Sequence, residues 1–148
     1  MKPLIKLLDE RNNNKGLRNK EKLVDAVEKL WKLDIDRDIK KKLMDELIWK
    51  IGETPNGKYN LKYRSEGAIG ITDLKLLHHE HVISRKKIRE ALVDAKSIEE
   101  VREILKMIET CVVTREEHKR LNKSKTEGWA KYKEIGIKVF DILENKQK

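Results

Sequence analysis

The sequence predicts an α+β protein in which a helical hairpin precedes a region of short strands and further helices. Between residues 19 and 51, apolar residues recur at the three- and four-residue spacing of helices with one buried face. Residues 58–64 alternate in polarity and carry tyrosines, and residues 110–113 are rich in β-branched side chains. Both patterns are typical of short strands. Residues 74–82 form another candidate strand, which ends in a cluster of histidines.

The helical hairpin has clear sequence signals at its ends. Residues 4–16 end in an asparagine-rich loop, and Asp36 is a good N-cap for the second helix. A short turn over residues 34–36 joins the two helices. The apolar face of the first helix consists of Leu23, Val24, Val27, Leu30 and Trp31, and that of the second of Ile39, Leu43, Leu47 and Ile51.

Three further helices are predicted from their capping residues. Ser84 can cap one helix, and Ser97 can open a second through a capping box with Glu100. Thr114 and Glu117 form another capping box, which begins a helix that runs to about residue 123. Another helix over residues 128–134 and a final strand over residues 137–142 complete the chain.

Composition indicates a highly charged globular protein. Charged residues make up 41% of the chain and the formal net charge is +9, which suits a polyanion such as nucleic acid or an anionic membrane surface. No apolar run approaches the roughly 18 residues that span a bilayer, and charges interrupt residues 1–9 too early for a signal peptide. Cys111 is the only cysteine, which excludes an intrachain disulfide. We therefore expect a cytoplasmic protein without a membrane partner.

All four histidines lie in two segments, at the end of the second predicted strand and near the start of a predicted helix. Glu80 can hold a divalent cation, and His118 can complete the metal site from the helix. His81 can act as a general base towards water, because an imidazole titrates near neutral pH. This set of groups is what a one-metal nuclease needs.

Two residues have secondary roles in this hypothesis. His79 lies two positions from His81, so on a strand both face the same side, and it could orient the substrate or be a third ligand. Asn122 lies four positions after His118, shares its helix face and could approach the metal or a phosphate. His78 is interpreted as structural or solvent-facing.

The order of these elements resembles the HNH, or ββα-metal, endonucleases. The segment Glu80-His81-Val82 matches the strand part of their motif and His118 the helix part, over residues 74–122. The helical pattern of the first part of the chain predicts a helical N-terminal region at residues 1–55. The resemblance implies a ββα-metal nuclease core in the remainder, at residues 56–148. In that core a helical insertion separates the two strands. It also implies metal-dependent hydrolysis of DNA to 5′-phosphate and 3′-hydroxyl ends.

The expected cofactor is Mg²⁺ or Mn²⁺, because two protein ligands leave several positions for water and substrate. Zinc is less favoured, since it usually takes three or more protein ligands. Basic side chains near the motif are expected to contact backbone phosphates, with Arg120 the best candidate because it lies near His118. The set is Arg85, Lys86, Arg115, Lys119 and Arg120.

Two other functions stay open at this point. The chain could be a basic nucleic-acid-binding module without catalysis, or a nuclease that acts on RNA, because metal-dependent phosphodiester chemistry does not itself select the sugar. A symmetric homodimer, which would make double-strand cuts natural, is also an open alternative.

Overall fold

A mixed five-stranded sheet and six α-helices make up the described part of the chain, which is residues 19–55, 57–59 and 61–148 of a computed structural model. The predicted α+β class is confirmed. The loop predicted at the end of residues 4–16 lies outside the described residues.

The helices begin where their capping residues predict. Asp36 accepts from the N–H groups of Asp38 and Ile39, and Thr114 forms the complete capping box with Glu117. The second expected box is only half formed, because the Glu100 carboxylate accepts from the Lys96 N–H. The helices are α1 Lys20–Lys32, α2 Arg37–Gly52, α3 Arg85–Asp94, α4 Ile98–Leu105, α5 Arg115–Lys123 and α6 Trp129–Glu134. Within the described residues, no helix combines the length and apolar character that a bilayer span requires.

The sheet has the strand order β2-β3-β1-β4-β5, which puts β2 at an edge. β2 runs antiparallel to β3, β3 runs parallel to β1, and the β1–β4 and β4–β5 pairs are antiparallel. The strands are β1 Tyr63–Ser65, β2 Leu77–His81, β3 Thr110–Thr114, β4 Val139–Asp141 and β5 Lys146–Gln147.

Three strands begin later than the sequence predicts, among them β4, which begins at Val139 and not at residue 137. β2 begins at Leu77, because Leu74–Leu76 forms a 3-10 turn whose N-cap is Asp73. β1 begins at Tyr63 and not at residue 58. The short strand β5 was not predicted.

The strands β2 and β3 and the helix α5 form a continuous strand–strand–helix unit. The helix follows β3 directly and packs against both strands. Helices α3 and α4 lie between β2 and β3 in the chain, as the predicted helical insertion requires.

The inserted helices pack on the N-terminal hairpin. One hydrophobic core combines buried residues of α1, α2, α3 and α4, and Ile48 of α2 belongs to it with no exposed surface. A second core lies between the sheet and helices α5 and α6. The division of the chain at residue 55 stays a prediction, and the helices on its two sides share the first core.

The shared core predicts a large cost for truncating Ile48. Ile48→Ala should lower the free energy of unfolding by about 2–5 kcal/mol, because it leaves a cavity between helices from both parts of the chain. Leu43→Ala on the same helix is the control, because Leu43 is 44% exposed although the sequence predicted it on the buried face. Its loss should cost about 0.5 kcal/mol or less. Urea unfolding followed by far-UV circular dichroism measures both. Equal costs in the two variants would contradict the shared core.

Candidate metal centre

The alternation of side chains along β2 divides the histidine cluster between two faces of the sheet. His78 and Glu80 face helix α5, where they meet His118. His79 and His81 face helix α2, where both rings contact Trp49. Because β2 is the edge strand, both faces border a single cleft along that edge.

His78, Glu80 and His118 form a compact cluster of metal-binding groups. Glu80 Oε2 lies 2.5 Å from His118 Nδ1 and 3.7 Å from His78 Nε2. The two imidazole rings stack with their centroids 3.5 Å apart. One ligand atom from each residue lies within 4.8 Å of the others, which is the spacing that a single cation can bridge. Two imidazole nitrogens and a carboxylate oxygen are suitable ligands for a divalent transition metal.

The electrostatics of the cluster favour a bound cation. Glu80 is buried, and within the described residues its only ionic partners are His78 and His118. Burial, together with the charges of the neighbouring His118 and Arg115, lowers the pKa of His78 to about 4. His78 is therefore neutral at pH 7, which is the form that binds metal.

Helix α5 holds His118 in place through its N-terminus. The Glu117 carboxylate accepts from the Thr114 N–H at 2.8 Å and from the Ser65 hydroxyl at 2.6 Å, so it fixes the start of the helix to β1. Asn122 Nδ2 lies 3.1 Å from His118 Nε2. The His118 ring is thus held between Glu80 and Asn122, and a contact of Asn122 with a metal or a phosphate stays a prediction.

His81 occupies a buried position outside the cluster. Its Nε2 atom packs against Gly52 so closely that a Cβ at that residue would lie 2.8 Å away. Burial lowers the pKa of His81 to about 4, and a backbone hydrogen bond with Ile48 partly opposes this effect. The ring is neutral at pH 7, as a general base must be, but Nε2 lies against α2. The role of His81 as general base stays a prediction, and it requires the ring to turn towards the cleft.

His79 shares the face of His81, as the strand alternation predicts. It is buried, its ring lies 4.8 Å from that of Trp49, and neither ring nitrogen has a hydrogen-bond partner among the described residues. Burial, together with the charge of a protonated His81, lowers its pKa to about 3. His79 is not part of the three-residue cluster.

The cleft along β2 has a volume of about 460 Å³. It is lined both by the cluster of His78, Glu80 and His118 and by the two histidines of the opposite face, His79 and His81. Residues from four helices and from the loop before α6 complete its walls. Two cationic side chains border it, Arg85 from α3 and Lys131 from α6.

Most of the predicted phosphate contacts lie elsewhere. Arg85 borders the cleft, where it stacks 4.5 Å above Trp49 and pairs with Asp45 at 3.0 Å. Arg115 and Arg120 donate to the backbone carbonyls of Lys75 and Ile135, and so tie α5 to its neighbours. Lys86 and Lys119 are exposed.

Sequence analysis overlooked two residues of the site. His78, interpreted from the sequence as structural or solvent-facing, is half-buried and lies beside Glu80 and His118 in a cluster that could hold a metal ion. The signal was available, since His78 and Glu80 are two positions apart on a strand and must share a face. Lys131 carried no signal in the sequence, because nothing local indicates that α6 turns this lysine towards the cleft.

Comparison of the chain with family models, with curated protein sequences and with solved structures finds no match.

The buried histidines predict a loss of stability in acid. Because His78, His79 and His81 have lowered pKa values of about 4, 3 and 4, the unfolded chain binds protons that the folded chain does not. The contribution of each neutral histidine to the free energy of unfolding is fully present above the unfolded pKa of about 6.5. It is lost as the pH drops towards 4, by up to about 1.4 kcal/mol per pH unit for each group.

His79→Phe tests this account, because it keeps an aromatic ring against Trp49 and removes one titrating group. Between pH 6.5 and 4, its unfolding free energy should fall less steeply than that of the wild type, by about 1.4 kcal/mol per pH unit. Urea titrations at several pH values measure the difference. Identical slopes in the two proteins would show that His79 is not held neutral by burial.

Proposed function

We propose that the protein is a divalent-metal-dependent endonuclease of the ββα-metal type, which hydrolyses phosphodiester bonds in DNA. The observation that carries the proposal is the convergence of His78, Glu80 and His118 at the edge of the strand–strand–helix unit. A cleft with two cationic side chains and a chain with a net charge of +9 support a polyanionic substrate.

The proposed cofactor is Mn²⁺ or Mg²⁺. The third ligand, His78, was not expected, and an added imidazole shifts the preference from Mg²⁺ towards softer ions such as Mn²⁺ and Zn²⁺. A set of two histidines and one glutamate leaves at least one coordination position for water or a phosphate oxygen. We therefore place Mn²⁺ first and include Zn²⁺ in the experiment.

The proposed mechanism assigns a distinct task to each side chain. A cation at this centre supplies Lewis-acid stabilisation of the phosphate and of the leaving 3′ oxygen. Glu80 contributes the charge of the ligand set, and the Asn122 side-chain amide lies beside the second ring nitrogen of His118, where its oxygen could accept that N–H when the other nitrogen binds the metal. His81 accepts the proton of the attacking water after its ring turns from Gly52 towards the cleft.

The alternatives make different predictions about the same cluster. In a non-catalytic nucleic-acid-binding module, the cluster would hold a structural metal or none, and DNA would bind without being cut. A ribonuclease would cut RNA and leave DNA intact, because contacts to the 2′-hydroxyl decide between the sugars. Both alternatives are outcomes of the experiment below.

Supercoiled plasmid and a single-stranded RNA are incubated with Mg²⁺, Mn²⁺ or Zn²⁺, or with EDTA. We expect metal-dependent nicking or linearisation of the plasmid. Glu80→Gln and His118→Ala should reduce the rate by about 100-fold or more, because they remove metal ligands, and His81→Ala by about 10²–10⁴-fold. Glu116→Gln is the matched control, because Glu116 is exposed on the same helix as His118.

Two results would contradict the proposal. Cleavage that persists in EDTA or in Glu80→Gln would show that the cluster is not the active site. A salt-sensitive gel shift without cleavage in any metal would instead support the binding module. If His81→Ala cuts at the wild-type rate while the ligand variants are inactive, the metal centre stands and another group is the base.

A further inference from the structure

Lys131 is a buried lysine whose ammonium group has no partner. Its residue surface is only 8% exposed, yet within the described chain its side chain makes no hydrogen bond, ion pair or ring contact. Lysines are rarely buried to this extent unless they are paired. The residue borders the cleft together with Glu80 and His118. Its unpartnered ammonium nitrogen is not fully buried, so the aliphatic stem packs in the wall while the charged end reaches the cleft.

Nearby cations are already engaged. Arg85, the other cation that borders the cleft, pairs with Asp45 and stacks on Trp49. Lys58 also lies over the Trp49 ring, at 5.7 Å. In the residues that the structure describes, Lys131 is thus the cleft cation without a charged or aromatic partner.

The acidic groups of the cleft do not neutralise Lys131. Glu127, four positions before it, accepts instead from the Ser84 N–H at 3.3 Å. Glu80 makes its ionic contacts with His78 and His118. A positive charge held in a cleft without a counter-ion is arranged for an anion that arrives from solution.

We propose that Lys131 binds a non-bridging oxygen of the phosphodiester that lies at the metal centre. This inference rests on the proposed function and assigns the phosphate contact to α6, outside the strand–strand–helix unit. The phosphate would lie between the cation held by β2 and α5 and the ammonium carried by α6. An ammonium is a compact charge with three donors, so the contact recognises the backbone and not the base sequence.

Lys131→Met tests the contact, because methionine fills the buried space and removes the charge. In Ca²⁺, its affinity for a short DNA duplex, measured by fluorescence anisotropy, should be about 10- to 100-fold weaker than that of the wild type. The plot of log affinity against log salt should lose about one unit of slope. Mn²⁺ affinity, measured by calorimetry, should not change, because Lys131 is not a ligand.

Two further variants keep the test decisive. Lys133→Met is the matched control, because Lys133 is exposed on the same helix and borders a different cavity. Lys131→Arg keeps the positive charge, so it should retain most of the wild-type DNA affinity. This variant keeps the test usable if Lys131→Met folds poorly. Wild-type affinity and salt dependence in a folded Lys131→Met would overturn the inference.

The outcomes separate this inference from the proposed function. If the wild type cleaves DNA and Lys131→Met cleaves equally well, the phosphate contact is refuted while the nuclease stands. If the wild type neither binds nor cleaves DNA in any metal, the proposed function fails and the inference fails with it.

Discussion

The antiparallel pairing of β2 with β3 decides where each side chain of the histidine cluster lies. His78 pairs with Val113 and Glu80 with Cys111, so both side chains share the face covered by α5. His79 pairs with Val112, which sends it to the opposite face. A shift of the register by one residue would exchange the two faces and separate His78 and Glu80 from His118. The pairing of β2 with the buried strand β3 therefore determines which side chains meet at the site.

The two faces of β2 provide different environments for the same type of side chain. On the α5 face, His78 and His118 remain partly exposed and surround a buried carboxylate, which suits a cation in contact with solvent. On the α2 face, His79 and His81 are enclosed by Trp49 and lie away from solvent. The edge position of β2 lets the two environments meet in one cleft, so a substrate could contact both.

Local chemistry was predictable from the sequence, and long-range packing was not. The Thr114 cap was correct because its partners lie within three residues. The meeting of Glu80 with His118 followed from the family resemblance. The burial of His81 against Gly52 was out of reach, because it depends on how the helical hairpin docks on the edge strand. The place of His78 beside Glu80 was open to prediction, because residues two positions apart on a strand share a face.

A crystal structure of the protein grown with Mn²⁺, with anomalous data that locate the ion, tests the central claim most directly. The account predicts a single strong peak coordinated by His78 Nε2 or Nδ1, by a Glu80 carboxylate oxygen and by a His118 ring nitrogen. A peak coordinated by His79 or His81, or the absence of any peak at this cluster at saturating Mn²⁺, would contradict it.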